Sequence, residues 1–221
     1  MINNKIDTYK HRGLRKKLVE IIRQKGIKDE AVLMAIDNIP RHFFLDMAFD
    51  KIAYEDRAFP IGEGQTISQP YTVAYQTELL HIQPRDKVLE IGTGSVYQAT
   101  ILAEMGAQVF TIERQKKLYE KNLVSYPFIS KYKNIKFFYG DGYKGLPTYA
   151  PFDKILITAA APVIPQDLIA QLKPNGILVL PLGNDTRQTM TRVTKNPDGT
   201  VTEEKFEDFV FVPMLKGRVE Y

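Results

Sequence analysis

The 221-residue chain contains no cysteine, which removes disulfides, thiolate metal sites and a cysteine nucleophile together. Histidine is scarce as well. His11, His42 and His81 lie far apart in sequence and none has an HxxxH spacing, so the reading is three unrelated histidines and no bound metal. No stretch approaches the roughly 18 apolar residues needed to span a bilayer, and the N-terminal "MINNKIDTYKHRGLRKK" has no apolar signal region. An excess of charge is also missing: 30 Lys and Arg against 26 Asp and Glu leave a net +4, spread along the chain with no polybasic tail to track phosphates. The expectation is a cytoplasmic protein with neither a membrane nor a nucleic-acid partner.

What is present is enough apolar material, 44% of residues, to bury one substantial core and to form a single domain over 1–221. Residues 1–60 read as a helical prelude. Leu14, Leu18 and Ile22 share a face, and "DEAVLMAIDNIP" offers an Asp29 cap before an apolar run that stops at Pro40. The following "AFPIGEGQTISQPY" has neither helical nor strand periodicity, so 61–76 is read as a long loop, and long structureless loops tend to be functional.

From Lys87 to the end the pattern is that of a cofactor-binding α/β core. Short Val- and Ile-rich runs ("KVLEI", "AQVFTIE", "NIKFFYGD", "DKILITAA", "ILVLPLG") alternate with amphipathic segments such as "QDLIAQLKPNG", which specifies a doubly wound, mostly parallel, Rossmann-like sheet. In the first helix of this core Ala99, Leu102, Ala103 and Met105 supply the inward stripe, and Gly106 is a left-handed stop. The tail alternates around Asn196-Pro197-Asp198-Gly199, the mark of an antiparallel hairpin.

In such sheets the loop after the first strand approaches the ligand most closely. Here it is "EIGTGSVYQ". Counting from Gly92 and Gly94, a GxGxxG dinucleotide fingerprint would put its third glycine where Tyr97 stands, and the GxGxG of S-adenosylmethionine-dependent methyltransferases would put it at Val96. Glu113 ends the second strand 21 residues after Gly92, where a carboxylate can hold ribose hydroxyls. Asp141 and Gly142 of "YGDG" end the third strand and suit an adenine edge. Singly, Glu113 could be a solvated helix start and Asp141 a simple turn; three landmarks at three successive strand ends favour a nucleoside site.

With these landmarks goes a family resemblance over nearly the whole chain. "GIKDEAVLMAIDNIPRHFFLD", "AFPIGEGQTISQPYTVA", "VLEIGTGSVYQA", "TIER", "GDGYKGLP", "APFDKILITAAAPVIP", "LKPNGILVLPLG" and "FVPMLKG" closely resemble protein-L-isoaspartate O-methyltransferases, the "GQTISQP" segment most specifically. The resemblance implies S-adenosylmethionine as methyl donor, S-adenosylhomocysteine as product, and isoaspartyl residues of damaged proteins as substrate. It also implies that Ser68 is the active-site residue, with Thr66, Ile67 and Gln69 lining the methyl-transfer site as part of the cofactor set. Gly92, Thr93, Gly94 and Ser95 would hold the methionine part, Glu113 the ribose, and Asp141 with Gly142 the adenine. Val212 and Pro213 would lie along the bound peptide. A monomer is expected.

The residues are consistent with that chemistry. A carboxylate acceptor is already ionised near neutral pH, so no strong base is required and positioning is the main demand. Ser68 has no base partner in the sequence, which makes it a hydrogen-bond donor and not a nucleophile. "TAAAP" at 158–162 lacks the acceptor and ring that an amine-methylating enzyme would place there and leaves room for a peptide backbone. A small-molecule methyltransferase of the same fold would explain the sheet but not the ISQP segment, and a non-catalytic binder would follow if Val96 crippled the loop. Val96 is expected in the first helical turn with negative φ, its γ-methyls weakening cofactor binding by about 1 to 2 kcal/mol through overpacking.

Overall fold

A computed structural model describes residues 5–184 and 186–220. Two helices lead, α1 (Tyr9–Gln24) and α2 (Glu30–Asn38). Thr8 and His11 cap α1 reciprocally, and the Asp29 carboxylate accepts the N–H groups of Ala31 and Val32, as the sequence pattern predicts for α2. Short 3₁₀ turns at Arg41–Phe44 and Met47–Ile52 then carry the chain towards the sheet.

The expected long loop is instead ordered. Strands β1 (Phe59–Gly62) and β2 (Gln65–Ile67) form an antiparallel hairpin pairing Phe59 with Ile67 and Pro60 with Thr66, and helix α3 (Pro70–Leu80) begins directly after Gln69. Three-residue pairing is too short to leave a periodic signal. Pro70 occupies the first helical position, where its missing N–H costs nothing. The orphan N–H of Tyr71 goes to the Asp56 carboxylate at 2.8 Å, a partner 15 residues upstream that local sequence does not reveal.

The main sheet contains β3 (Lys87–Ile91), β4 (Gln108–Glu113), β5 (Ile135–Tyr139), β6 (Phe152–Ile157), β7 (Leu172–Gly183), β8 (Gln188–Lys195) and β9 (Val201–Phe209). Their order is β5-β4-β3-β6-β7-β8-β9. The first five are parallel, and β8 and β9 run antiparallel as the turn residues predict. Helices α4 (Tyr97–Glu104), α5 (Lys116–Ser125) and α6 (Gln166–Ala170) connect the parallel strands. Gly106 stops α4 with φ +91. The predicted helical segment after Pro165 is cut short: α6 has five residues, and Lys173 to Gly176 form a bulge within β7, with Asn175 at φ 63.

Both faces of the sheet are covered. Leu18 and Ile22 of α1, Val32 and Ile36 of α2, and Val73 of α3 share one cluster with Val88, Leu102 and Val109, so the prelude packs on the same core as the cofactor half. Leu89, Ile91, Phe110, Ile155, Leu168 and Leu178 fill the other face. Because β3 lies between β4 and β6, connections leave it in opposite directions, and a crevice opens at its carboxyl end.

Candidate functional site

The crevice is a cavity of about 790 Å³, within the range of small-molecule sites. Its wall contains Thr66, Ile67, Ser68, Gln69, Gly92, Thr93, Gly94, Ser95, Glu113, Gly142, Val212 and Pro213. Residues from five separate stretches of chain meet there. Asp141 does not line it: its carboxylate accepts the N–H of Tyr143 at 3.0 Å and that of Gly217 at 3.0 Å, so it shapes the turn beneath Gly142 and ties down the tail.

The glycine loop is built by backbone geometry. Gly92 and Gly94 have φ of 101 and 51. A Cβ on Gly92 would lie 2.5 Å from the Thr158 hydroxyl, which itself donates to the carbonyls of Ile91 and Gly92 at 3.0 Å. Glu113 Oε2 accepts the Gly94 N–H at 2.9 Å and Oε1 the Gln115 N–H at 2.9 Å. Burial pushes this carboxyl's pKa up, while those two N–H groups act in the opposite direction. Each oxygen retains lone-pair capacity for a hydroxyl, as a ribose ligand requires.

Val96 departs from the expectation. It is not in the first turn of α4 but caps it in the left-handed region, φ 70 and ψ 0. Its N–H donates to Thr93 at 2.8 Å, and its carbonyl accepts from the N–H of Thr100 at 2.9 Å. This is the glycine-like conformation that a β-branched side chain disfavours. The side chain is only 1% exposed, belongs to the core and is not part of the cavity wall, so its cost in this position is backbone strain of about 1–3 kcal/mol.

The small side chains of residues 158–162 also serve differently from the expectation. The backbone they accommodate is the chain's own: Ala160 donates to the Val212 carbonyl at 2.8 Å and accepts the Met214 N–H at 2.7 Å. Val212 and Pro213 are thereby held at the cavity mouth. Ser68 is half-buried between β2 and α3.

Two supports of the Ser68 segment carry no motif in the sequence. Asp56 bonds both the Tyr71 N–H and the Gln69 side-chain amide, the latter at 3.0 Å. Arg41, fully buried, donates to the Ser68 carbonyl at 2.9 Å. An Arg-His pair between apolar residues, Ile39-Pro40 before it and Phe43-Phe44-Leu45 after it, is the signal in the sequence for the second. Two of the three histidines, separate in sequence, also meet: His11 and His42 stack with centroids 3.9 Å apart. Asp7 beside them is paired with Arg15 at 3.0 Å.

A doubly wound sheet with a glycine turn after its first inner strand, a buried carboxylate at the end of the next, and a cavity between them defines a nucleoside-cofactor enzyme, the class to which S-adenosylmethionine-dependent methyltransferases belong. Comparison with known proteins narrows this. The family model for protein-L-isoaspartate(D-aspartate) O-methyltransferase matches residues 13–219. A protein-L-isoaspartate O-methyltransferase of Cytophaga hutchinsonii is 56% identical over 209 residues, covering 95% of this chain and 94% of the relative. One from Dictyoglomus thermophilum is 46% identical over 213 residues, covering 96% of each. A Plasmodium falciparum structure described as a protein-L-isoaspartate O-methyltransferase in complex with S-adenosyl-L-homocysteine superposes with a TM-score of 0.78 at 26% identity, covering 92% of this chain and 99% of that one. The chain belongs to the protein-L-isoaspartate(D-aspartate) O-methyltransferase family. It is a carboxyl methyltransferase whose methyl donor is S-adenosylmethionine.

Proposed function

We propose that the chain, acting as one domain, methylates the free α-carboxyl of L-isoaspartyl residues in damaged cytoplasmic proteins, with Ser68 orienting the acceptor. The observation that carries this is the convergence of Ser68, the glycine loop and the Val212–Pro213 segment on one cavity. Gly92, Thr93, Gly94 and Ser95 fit the methionine portion of the cofactor, Glu113 the ribose and Gly142 the adenine. When bound, the cofactor would supply an electrophilic methyl on a sulfonium to a carboxylate oxygen, the products being a methyl ester and the thioether S-adenosylhomocysteine.

The protein's own residues then have positional tasks. The Ser68 hydroxyl donates a hydrogen bond that holds one oxygen of the carboxylate so that the other faces the methyl. It loses no proton, because the acceptor is already an anion. The Val212–Pro213 segment, anchored on Ala160 and exposed at Pro213, offers a surface along which an extended, flexible peptide segment can lie. Substrates on this reading are any accessible isoaspartyl segments, taken up by a monomer.

Paired peptides, one isoaspartyl and one normal aspartyl, test the function: methyl incorporation into the first alone is expected. Ser68→Ala tests the role. Cofactor affinity should be kept while turnover falls about tenfold or more, the scale of losing one positioning contact in the transition state; unchanged turnover removes Ser68 from the mechanism.

A further inference from the structure

We propose that Arg41 is a positioning residue for methyl transfer, bracing the Ser68 backbone against Tyr97 at the start of α4. The inference rests on the role given to Ser68. Arg41 is 0% exposed, yet its Nη2 reaches the Ser68 carbonyl at 2.9 Å and, more weakly, the Arg57 carbonyl at 3.4 Å. Its guanidinium lies 5.0 Å from the centroid of the Tyr97 ring. Among the described residues no carboxylate is in salt-bridge contact with it. A buried cation is costly unless its surroundings hold it; here the Tyr97 ring faces the group and Nη2 alone reaches backbone carbonyls, Nε and Nη1 having no hydrogen-bond partner among the described residues, so the Ser68 carbonyl is its principal hydrogen bond.

The contacts join the two halves of the reaction. Tyr97 follows Val96 and opens the helix that the glycine loop feeds, whereas Ser68 belongs to the acceptor side. One rigid, planar group therefore sets the spacing between them. The peptide joining Ser68 to Gln69 is planar and trans, so fixing its carbonyl also fixes its N–H on the opposite side and limits rotation of the residue that bears the hydroxyl. Asp56 braces the same segment through Gln69 and Tyr71, which leaves the Ser68 carbonyl as the contact particular to Arg41. Burial pulls the Arg41 pKa down to about 10, opposed by Tyr97 and Asp56, so it stays charged at neutral pH.

The test compares Arg41→Met with Arg41→Gln. Both remove the charge and match each other in length; only glutamine keeps an N–H donor for the Ser68 carbonyl, two bonds nearer the backbone than Arg41 Nη2, and lysine carries its donor one bond further out than glutamine. Arg41→Lys is measured alongside, so that misfolding of one variant leaves the comparison intact. Arg41→Met is expected to lose about tenfold or more in kcat on an isoaspartyl peptide, with S-adenosylhomocysteine affinity within about threefold of wild type, and Arg41→Gln or Arg41→Lys to recover at least about threefold of that loss. In a Ser68→Ala background the Arg41→Met loss should shrink to less than about threefold, because the group being positioned is gone. Equal kcat for all three substitutions, a fall in cofactor affinity parallel to kcat, or an undiminished loss in the Ser68→Ala background overturns the proposal. Wild-type turnover by Ser68→Ala alone overturns the Ser68 role instead, and the two failures are read from different proteins.

Discussion

Glu113 accepts the N–H of Gly94 at 2.9 Å, so the carboxylate that ends β4 also holds the glycine turn that follows β3. The side chain suited to a ribose thus also shapes the loop suited to the methionine. Glu113→Gln keeps an acceptor oxygen but loses the charge that strengthens both bonds. We expect S-adenosylhomocysteine affinity to fall about tenfold or more, from the 1.5–3 kcal/mol typical of a charge-assisted hydrogen bond. Calorimetry measures it, and an unaltered Kd would remove the carboxylate from cofactor binding.

Val96 provides a test of strain. Val96→Ala and Val96→Gly both remove the γ-methyls, and only glycine relieves the positive φ. Val96→Gly should therefore be more stable than Val96→Ala by about 1 kcal/mol or more in urea unfolding, although glycine elsewhere is the weaker choice. Because the side chain lies in the core and not on the cavity wall, Val96→Gly should change S-adenosylhomocysteine affinity by less than about threefold. A gain of about 1 to 2 kcal/mol would restore the steric penalty expected from sequence.

Glu90, 0% exposed on β3, has its pKa pushed up to about 8 by burial; the Thr111 hydroxyl opposes this and the Glu113 charge adds to it. The folded protein then binds a proton that the unfolded chain, near 4.5, has released. This contribution is complete below pH 4.5 and disappears as pH rises towards 8, at up to about 1.4 kcal/mol per pH unit. Glu90→Gln should flatten that dependence. The unfolding free energy of the variant relative to wild type must rise from pH 5 to pH 8; parallel curves would show that Glu90 is ionised in the native state.

His42 acts in the other direction. Burial, aided by the neighbouring His11, pulls its pKa from 6.5 down to about 4, and its Nδ1 meets the Tyr54 hydroxyl at 2.7 Å. Its contribution is present above pH 6.5 and is lost as pH falls towards 4. His42→Gln should be less stable at neutral pH, since the stacked ring is lost, but should lose less stability on acidification from 6.5 to 4. Thermal unfolding across that interval decides; equal slopes for both proteins would place the acid sensitivity elsewhere.

The sequence by itself determined the parallel core, its hairpin tail and the cofactor loop, because each rests on a short repeating pattern: apolar runs of strand length, a helical stripe ended by Gly106, or Asn-Pro-Asp-Gly. The candidate site was legible where a motif names its own position, at Gly92, Glu113 and Ser68. Tertiary structure alone decided the remainder. It ordered the Gly-rich segment into a hairpin by pairing Phe59 with Ile67, and it sent the Asp141 carboxylate to Gly217. It also stacked His11 on His42 and set Arg41 behind Ser68. The last three are single contacts between residues far apart in the chain, and the hairpin is too short to repeat, so no periodicity announces any of them. Val96 shows the same division. Its identity raised the question of φ, but the answer was set by the turn that joins β3 to α4, which holds that residue left-handed despite its β-branch.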